Sequence, residues 1–238
     1  MCTVIYIPQI NKKIFASLRD ENPNRHTVST PTTFIAETTT YISPTDPMGG
    51  GSWVGINNKG NVIILLNGGF VKHEQHSKYK KSRGLIVKEL LENETPIFEW
   101  MMMELNDIEP FSLVVYTEDM LFQLVWDGKE KHKLRLNELS CHIFSSSTLY
   151  TPIAKNFREE LFKKMIENSD AITEESLLNF FKSNDDPENG FLINRNEKVK
   201  TLSLSYIEVN NQYLCLSYHD FINDTISNDY LSCDLFAD

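Results

Sequence analysis

Long apolar runs, internal repeats and low-complexity linkers are all missing from this sequence of 238 residues. Its longest apolar runs, such as Val62–Leu66, are far shorter than the roughly 20 residues that a membrane-spanning helix requires. The N-terminal region contains Lys12 and Lys13 and lacks the apolar stretch of a signal peptide. We therefore predict one soluble, cytoplasmic domain that spans residues 1–238 and does not cross a membrane.

A net positive charge is missing as well. The formal charge is −10 at pH 7, whereas a general nucleic-acid binder needs a basic face that meets the phosphates. Hydrophobic residues make up 41% and charged residues 24% of the chain, as in ordinary globular proteins. The composition therefore predicts a folded protein with a sizeable core and no nucleic-acid partner.

The cysteines form no C-x-x-C pair, and no cysteine or histidine has zinc-finger spacing. They are Cys2, Cys141, Cys215 and Cys233. His73, Glu74 and His76 likewise fit no standard pair of metal ligands on a helix. The sequence thus predicts free thiols in a reducing compartment, with no metal and no cofactor.

Residue periodicity predicts strands near both ends of the chain, with helices between them. The predicted strands lie at 3–7, 13–18, 52–56, 61–66, 112–116, 121–126, 133–136, 141–144, 201–209 and 213–218. Helices are predicted at 82–91, at 97–105, after the N-cap Thr151 and after the N-cap Thr173. The apolar stripe predicted for the helix after Thr151 consists of Ile153, Phe157, Leu161 and Met165. This order indicates an α+β protein in which helices cover a sandwich of sheets.

Cys2 is the candidate nucleophile because it directly follows Met1. Removal of the initiator methionine, which is usual before a small residue, would leave a thiol and a free α-amine on one residue. An α-amine has a pKa of about 8, so it can accept the thiol proton and later deliver it to a leaving amine. The alternative is that Cys2 is simply a small residue in the first strand.

Polar residues at strand ends offer support for such a thiol. Arg19 and Asp20 follow the second predicted strand, so antiparallel pairing brings them beside the start of the first. Arg19 would stabilise a thiolate and Asp20 would orient the α-amine, although a solvated charged turn is the alternative. Asn67 ends a later strand and offers its amide to a developing oxyanion, unless it serves only the turn.

Four motifs occur in order: Cys2-Thr3-Val4, Leu18-Arg19-Asp20-Glu21, Gly50-Gly51-Ser52-Trp53-Val54-Gly55 and Leu65-Leu66-Asn67-Gly68. Together they resemble the NRDE family, also called the transport-and-Golgi-organisation family. The resemblance implies the N-terminal-nucleophile hydrolase fold, a four-layer αββα sandwich. More distantly, the chain is similar to the cysteine amidases that include bile-salt hydrolases and penicillin V acylases. Their pattern implies Cys2 as nucleophile, Arg19 and Asp20 as charged supports and Asn67 as first oxyanion donor.

The sequence departs from these patterns at three positions. Leu18 replaces the first asparagine of the NRDE signature. Ser147 takes the place of a second oxyanion asparagine, and its hydroxyl reaches less far than an amide. A C-terminal arginine of the amidases has no match, since Leu202 falls near it and Lys200 is the nearest cation.

Three functions follow from this combination of retained and missing residues. The first is an amide (C–N) hydrolase acting on a small molecule. The second is a non-catalytic carrier that holds a lipid, an acyl-coenzyme A or haem in the same cleft. The third is a degenerate hydrolase fold that serves as an interaction module. Retention of the four motif residues favours the first, whereas Ser147 and the missing arginine favour the second.

The stretch 72–83 is the one strongly basic run in this acidic chain. It follows the strand that ends at Asn67 and is long enough to cross the mouth of a cleft. Lys80 and Arg83, together with Trp53, are therefore the predicted substrate-binding residues, and the positive charge favours an anionic acyl or amide substrate. A plain solubilising loop is the alternative.

We expect Met1 to be absent from the active protein, because the Cys2 amine cannot act as a base while it is part of a peptide bond. Intact-mass measurement of the purified protein checks this. A fully active protein that retains Met1 would rule out the α-amine mechanism and leave Cys2 an ordinary thiol.

Overall fold

A computed structural model describes residues 3–25, 30–74, 79–169 and 171–233. In chain order its strands are β1 (Thr3–Gln9), β2 (Lys12–Glu21), β3 (Thr32–Ile35), β4 (Thr40–Ser43), β5 (Val54–Asn57), β6 (Val62–Asn67), β7 (Phe111–Thr117), β8 (Met120–Trp126), β9 (Lys131–Leu136), β10 (His142–Ser145), β11 (Asn194–Arg195), β12 (Val199–Asn210), β13 (Tyr213–Asp220) and β14 (Thr225–Ser232). Its helices are α1 (Arg83–Leu91), α2 (Pro96–Met102), α3 (Pro152–Glu167) and α4 (Glu174–Ser183). None of these helices is both long and apolar enough to cross a membrane.

The strands form two antiparallel sheets of seven strands each. The first sheet has the order β10-β1-β2-β12-β13-β14, and β11 pairs with β12. The second sheet runs β3-β4-β5-β6-β7-β8-β9, so every neighbour in it is also a neighbour in sequence. In the first sheet β2 lies between β1 and β12, which joins the two ends of the chain.

Alternation along β1 shows how the layers stack. Val4 and Tyr6 belong to the core shared with the second sheet, and the Tyr6 ring lies 6.5 Å from that of Tyr116 in β7. Ile5 and Ile7 point the opposite way and pack with residues of α3 and α4. The buried face of α1 covers the other side of the second sheet. The order of layers is therefore α–β–β–α, as the sequence predicts.

The predicted strands and helices are present with shifted ends. The most important difference is the C-terminal end of β2. This strand continues to Glu21, so Arg19 and Asp20 lie within it and not in a turn that follows it. The strands β3, β4, β11 and β14 were not predicted, and the edge strand β14 has a polar sequence that resembles a loop. The end of β6 at Asn67 agrees with the prediction, and residues 62–66 are fully buried as expected of a strand covered on both faces.

The predicted apolar stripe of α3 is confirmed in its second half, where Leu161 and Met165 pack against the core, and is wrong in its first half. Ile153 is 83% exposed and Phe157 is 44% exposed, whereas Ala154, Arg158 and Phe162 are buried. An arginine therefore occupies the middle of the buried face. Hydrophobic periodicity cannot detect this arrangement, since it counts arginine as a surface residue.

Close backbone contact joins the start of α1 to the segment before β5. The Ser52 N–H donates to the Gly84 carbonyl oxygen at 2.9 Å. A Cβ on Gly51 would lie 2.3 Å from the Gly84 carbonyl carbon, which leaves room only for glycine there. This contact fixes the N-terminus of α1 beside Trp53.

We expect Gly51→Ala to lower the free energy of unfolding by about 1–3 kcal/mol, because the added methyl must displace packed backbone. Urea denaturation followed by circular dichroism measures the loss. Gly49→Ala is the matched control, since its Cβ would come no closer than 3.3 Å to the Ser82 Oγ. Equal losses for the two variants would contradict the steric explanation.

Candidate active site

Two clefts meet at the end of the sandwich where β2 and β6 finish. The narrow cleft has a volume of about 70 Å³ and is lined by residues that include Arg19, Trp53 and Arg83. The wide cleft has a volume of about 690 Å³ and includes Asp20 in its wall. Asn67 lines both clefts. The predicted site residues that line one or both of these clefts are therefore Arg19, Asp20, Trp53, Asn67 and Arg83.

Arg19 is a deeply buried charged residue in the lining of the narrow cleft. Its side chain is 3% exposed, and its guanidinium carbon lies 4.1 Å from the centre of the Trp53 ring. Burial is the largest influence on the pKa of Arg19 and lowers it, while Tyr218 and Glu21 oppose that shift. No described residue accepts a hydrogen bond from its Nη1 atom. Arg19 is thus a buried cation whose positive charge is available to a neighbouring group.

Asp20 faces the opposite side of β2 and is firmly held. Its Oδ2 accepts a hydrogen bond from the Tyr150 hydroxyl at 2.6 Å, and its Oδ1 accepts one from Thr201 Oγ1 at 2.6 Å. The residue is 3% exposed. Both carboxyl oxygens are therefore oriented by partners from distant segments of the chain.

Ser146, and not Ser147, contacts the backbone of the candidate oxyanion donor. Ser146 Oγ donates to the Asn67 carbonyl oxygen at 2.8 Å. Ser147 Oγ donates to the Val71 carbonyl oxygen at 3.3 Å, and Ser147 lines neither cleft. Gly68 has a φ of +84°, and a Cβ there would lie 2.2 Å from Ser147 Oγ. A glycine after Asn67 is therefore required for these segments to approach.

The basic stretch contributes only part of its charge to the clefts. Arg83 lines the narrow cleft, where its Nη2 lies 3.1 Å from Glu109 Oε2 and burial lowers its pKa. Lys72 lines the wide cleft. Lys80 is exposed and lines neither cleft, although its backbone N–H donates to the Asp107 carbonyl oxygen at 2.9 Å.

Cys2, His76 and Lys78 lie outside the residues that the structure describes. Thr3, to which Cys2 is bonded, pairs with Leu18 in β2 and with Ser145 in β10. In the described ranges, no three histidine, cysteine, aspartate or glutamate side chains are grouped so that they could hold a metal ion.

Arg158 lines neither cleft but supports residues of the site, and the sequence did not identify it. This arginine of α3 is fully buried, and its Nη1 donates to Thr3 Oγ1 while its Nε donates to the Asn189 carbonyl oxygen at 3.0 Å. Its guanidinium carbon lies 3.6 Å from the centre of the Tyr150 ring. The sequence feature that could have identified it is its spacing of four residues from both Ala154 and Phe162, which places all three on one face of the helix. Arg158 therefore links Thr3 to the tyrosine that holds Asp20.

A family model described as Transport and Golgi organisation 2 matches residues 1–219. The chain belongs to this family. No curated protein matches it at a significant level. The family assignment confirms the resemblance that the four sequence motifs indicate.

Solved structures similar to this Transport and Golgi organisation 2 family member share its fold at low sequence identity. The Caenorhabditis elegans ortholog of N-acylethanolamine-hydrolyzing acid amidase matches 87% of this chain and 92% of its own, with 13% identity and a TM-score of 0.62. A mutant conjugated bile acid hydrolase from Clostridium perfringens matches 96% and 92%, with 11% identity and a TM-score of 0.61. Penicillin V acylase from Agrobacterium tumefaciens matches 98% and 86%, with 9% identity and a TM-score of 0.57. The fold is that of the N-terminal-nucleophile hydrolases.

We expect Tyr150→Phe to lower the free energy of unfolding by about 1–3 kcal/mol, because it removes the hydroxyl that donates to a buried oxygen of Asp20. Urea denaturation measures the change. Tyr230→Phe is the control, since that ring is 62% exposed, and we expect a change within about 0.5 kcal/mol. Similar losses for the two variants would mean that the bond to Asp20 contributes nothing particular.

Proposed function

We propose that this chain is a cysteine N-terminal-nucleophile hydrolase that cleaves the amide C–N bond of a small molecule, with Cys2 as the nucleophile. The observation that carries the proposal is the meeting of Arg19, Asp20 and Asn67 at two joined clefts. Thr3 pairs with Leu18, the residue before Arg19. Thr3 is the residue to which Cys2 is bonded, and this covalent link is what supports Cys2 as the nucleophile of these clefts.

The chemistry would proceed through a thioester. The Cys2 sulfur attacks the acyl carbon while the α-amine of the same residue accepts the thiol proton. The Asn67 side-chain amide donates to the oxygen on which negative charge develops. The α-amine then gives its proton to the leaving nitrogen, and the C–N bond breaks. Water, deprotonated by the same amine, attacks the thioester and releases a carboxylic acid and the free thiol.

Arg19 and Asp20 would have different tasks in this reaction. A positive guanidinium close to the sulfur favours the thiolate over the thiol. A carboxyl fixed by Tyr150 and Thr201 can accept a hydrogen bond from the α-amine and hold it in one orientation. These tasks require groups that do not move during the reaction, which agrees with the burial of both residues.

The names of the similar structures support the same class of reaction, since they describe an amidase, a hydrolase of conjugated bile acids and an acylase. The volume of the wide cleft, about 690 Å³, favours a second candidate function. A cleft of that size can hold a ligand of drug-like dimensions, so the protein could carry a lipid, an acyl-coenzyme A or haem without turnover.

We expect Cys2 to react with iodoacetamide at pH 7 at least about tenfold faster than Cys141 or Cys215, because thiolates are the reactive species. Burial raises the pKa of both of those thiols. Peptide mass spectrometry after brief labelling gives the three rates. A panel of amides and esters should then give an acyl adduct on Cys2, or turnover, that Cys2→Ala abolishes and the control Cys141→Ser retains.

Two outcomes would contradict the proposal. Turnover that persists in Cys2→Ala would assign the reaction to another group. Tight ligand binding with neither an adduct nor turnover in any amide or ester would favour the carrier.

A further inference from the structure

Unpaired hydrogen-bond donors are concentrated in the narrow cleft. Within the described ranges, the buried side-chain nitrogens without a partner are Arg19 Nη1, Arg25 Nε, Trp53 Nε1, His73 Nδ1 and Trp100 Nε1. The residues that own the first three all line this one cleft. Leaving a buried donor unpaired costs free energy, so native proteins satisfy nearly all of them. Three residues that carry such donors line one cavity, which favours an occupant that accepts hydrogen bonds.

The charges around the narrow cleft favour an anion over a neutral acceptor. Three arginines line it together with the carboxylates of Glu21 and Asp46, and Arg83 is paired with Glu109, whose Oε2 lies 3.1 Å from Arg83 Nη2. Arg25 uses its terminal nitrogens on those carboxylates, at 2.6 Å to Asp46 and 3.4 Å to Glu21, which leaves Nε free. Arg19 makes no ion pair of 4 Å or less with any described residue, whereas Arg25 and Arg83 both do, so the charge of Arg19 has no carboxylate in contact with it.

The start of α1 adds to this positive potential. Ser82, Arg83 and Gly84 line the cleft, and no side chain caps the first turn of the helix. Unpaired N–H groups at a helix N-terminus attract negative charge. The helix alone would not define a site, but here it faces the nearly fully buried Arg19 and Trp53.

We propose that the narrow cleft binds a carboxylate of the substrate, through Arg19, Arg25 and Trp53; this inference rests on the proposed hydrolase function. Arginine presents its donors as a planar fork that matches a carboxylate. The volume of about 70 Å³ suits a head group alone. The positive charge that the basic stretch was expected to supply through Lys80 comes instead from these arginines.

The position of Asn67 then defines the substrate class. Since Asn67 borders both clefts, an amide whose carbonyl oxygen meets Asn67 extends into each of them. Its carboxylate would occupy the narrow cleft and its larger part the wide cleft. The substrate is therefore an amide that carries a carboxylate within a few bonds of the scissile carbonyl.

A titration with hexanoate and its neutral analogue hexanamide tests the carboxylate site without any need for turnover. The protein contains three tryptophans, so an ¹H–¹⁵N spectrum shows three indole signals, and Trp53→Phe assigns the one of interest. We expect hexanoate to shift the Trp53 indole signal saturably and hexanamide to leave it unchanged. The Trp126 indole, which donates to the Ile108 carbonyl oxygen at 2.9 Å, is the internal control.

Variants separate a specific site from general charge attraction. We expect Arg25→Gln and Trp53→Phe each to weaken hexanoate binding about tenfold, as loss of a charge-assisted bond does, measured from the backbone amides of Ser52 and Gly84. Lys80→Gln removes the same charge as Arg25→Gln at an exposed position outside both clefts, and we expect a change below about twofold. Equal effects of Arg25→Gln and Lys80→Gln would overturn the inference.

The two proposals fail in different ways. Turnover that depends on Cys2, with no response of the Trp53 indole to hexanoate, would refute the carboxylate site and leave the hydrolase standing. A saturable response to hexanoate in a protein without amide turnover would support the carboxylate site and assign it to a carrier.

Discussion

The alternation of side chains along β2 determines where the charged groups of the site must lie. This strand is paired on both sides, with β1 and with β12, so its register cannot slip without disrupting the sheet. Successive residues of a strand face opposite sides. Arg19 therefore points towards the second sheet and stacks on Trp53, while Asp20 points away and meets Tyr150 and Thr201. One strand thereby supplies both clefts.

Asp20 and Arg19, which are adjacent in β2, differ in how their burial is compensated. Asp20 has donors on both of its oxygens, so its burial is compensated by hydrogen bonds. Arg19 has a ring beneath it and an Nη1 without a described acceptor. A cation held in advance, at a position where negative charge arrives, needs little reorganisation when a ligand or a thiolate meets it.

Sequence patterns located most strands of the second sheet because pairing there joins strands that are adjacent in the chain. Hairpin and turn signals between consecutive strands predicted β5 to β9, but β3 and β4 were not predicted. The hydrophobic patterns failed where a charged residue is buried or where a strand consists mainly of polar residues. Arg158 occupies the buried face of α3, and β14 presents polar side chains along an exposed edge. In both cases tertiary packing, which a local pattern does not contain, decides the outcome.

The sequence by itself determined the family, the αββα order and the candidates Cys2, Arg19, Asp20 and Asn67, because each of these depends on local motifs and on chain order. Only the tertiary structure decided the partners of those residues. Tyr150 and Thr201 lie 130 and 181 residues from Asp20 in sequence, and a hydrogen bond requires a distance and an angle that spacing along the chain does not specify. The same reason explains why Arg19 and Arg25, and not Lys80 of the basic stretch, line the narrow cleft.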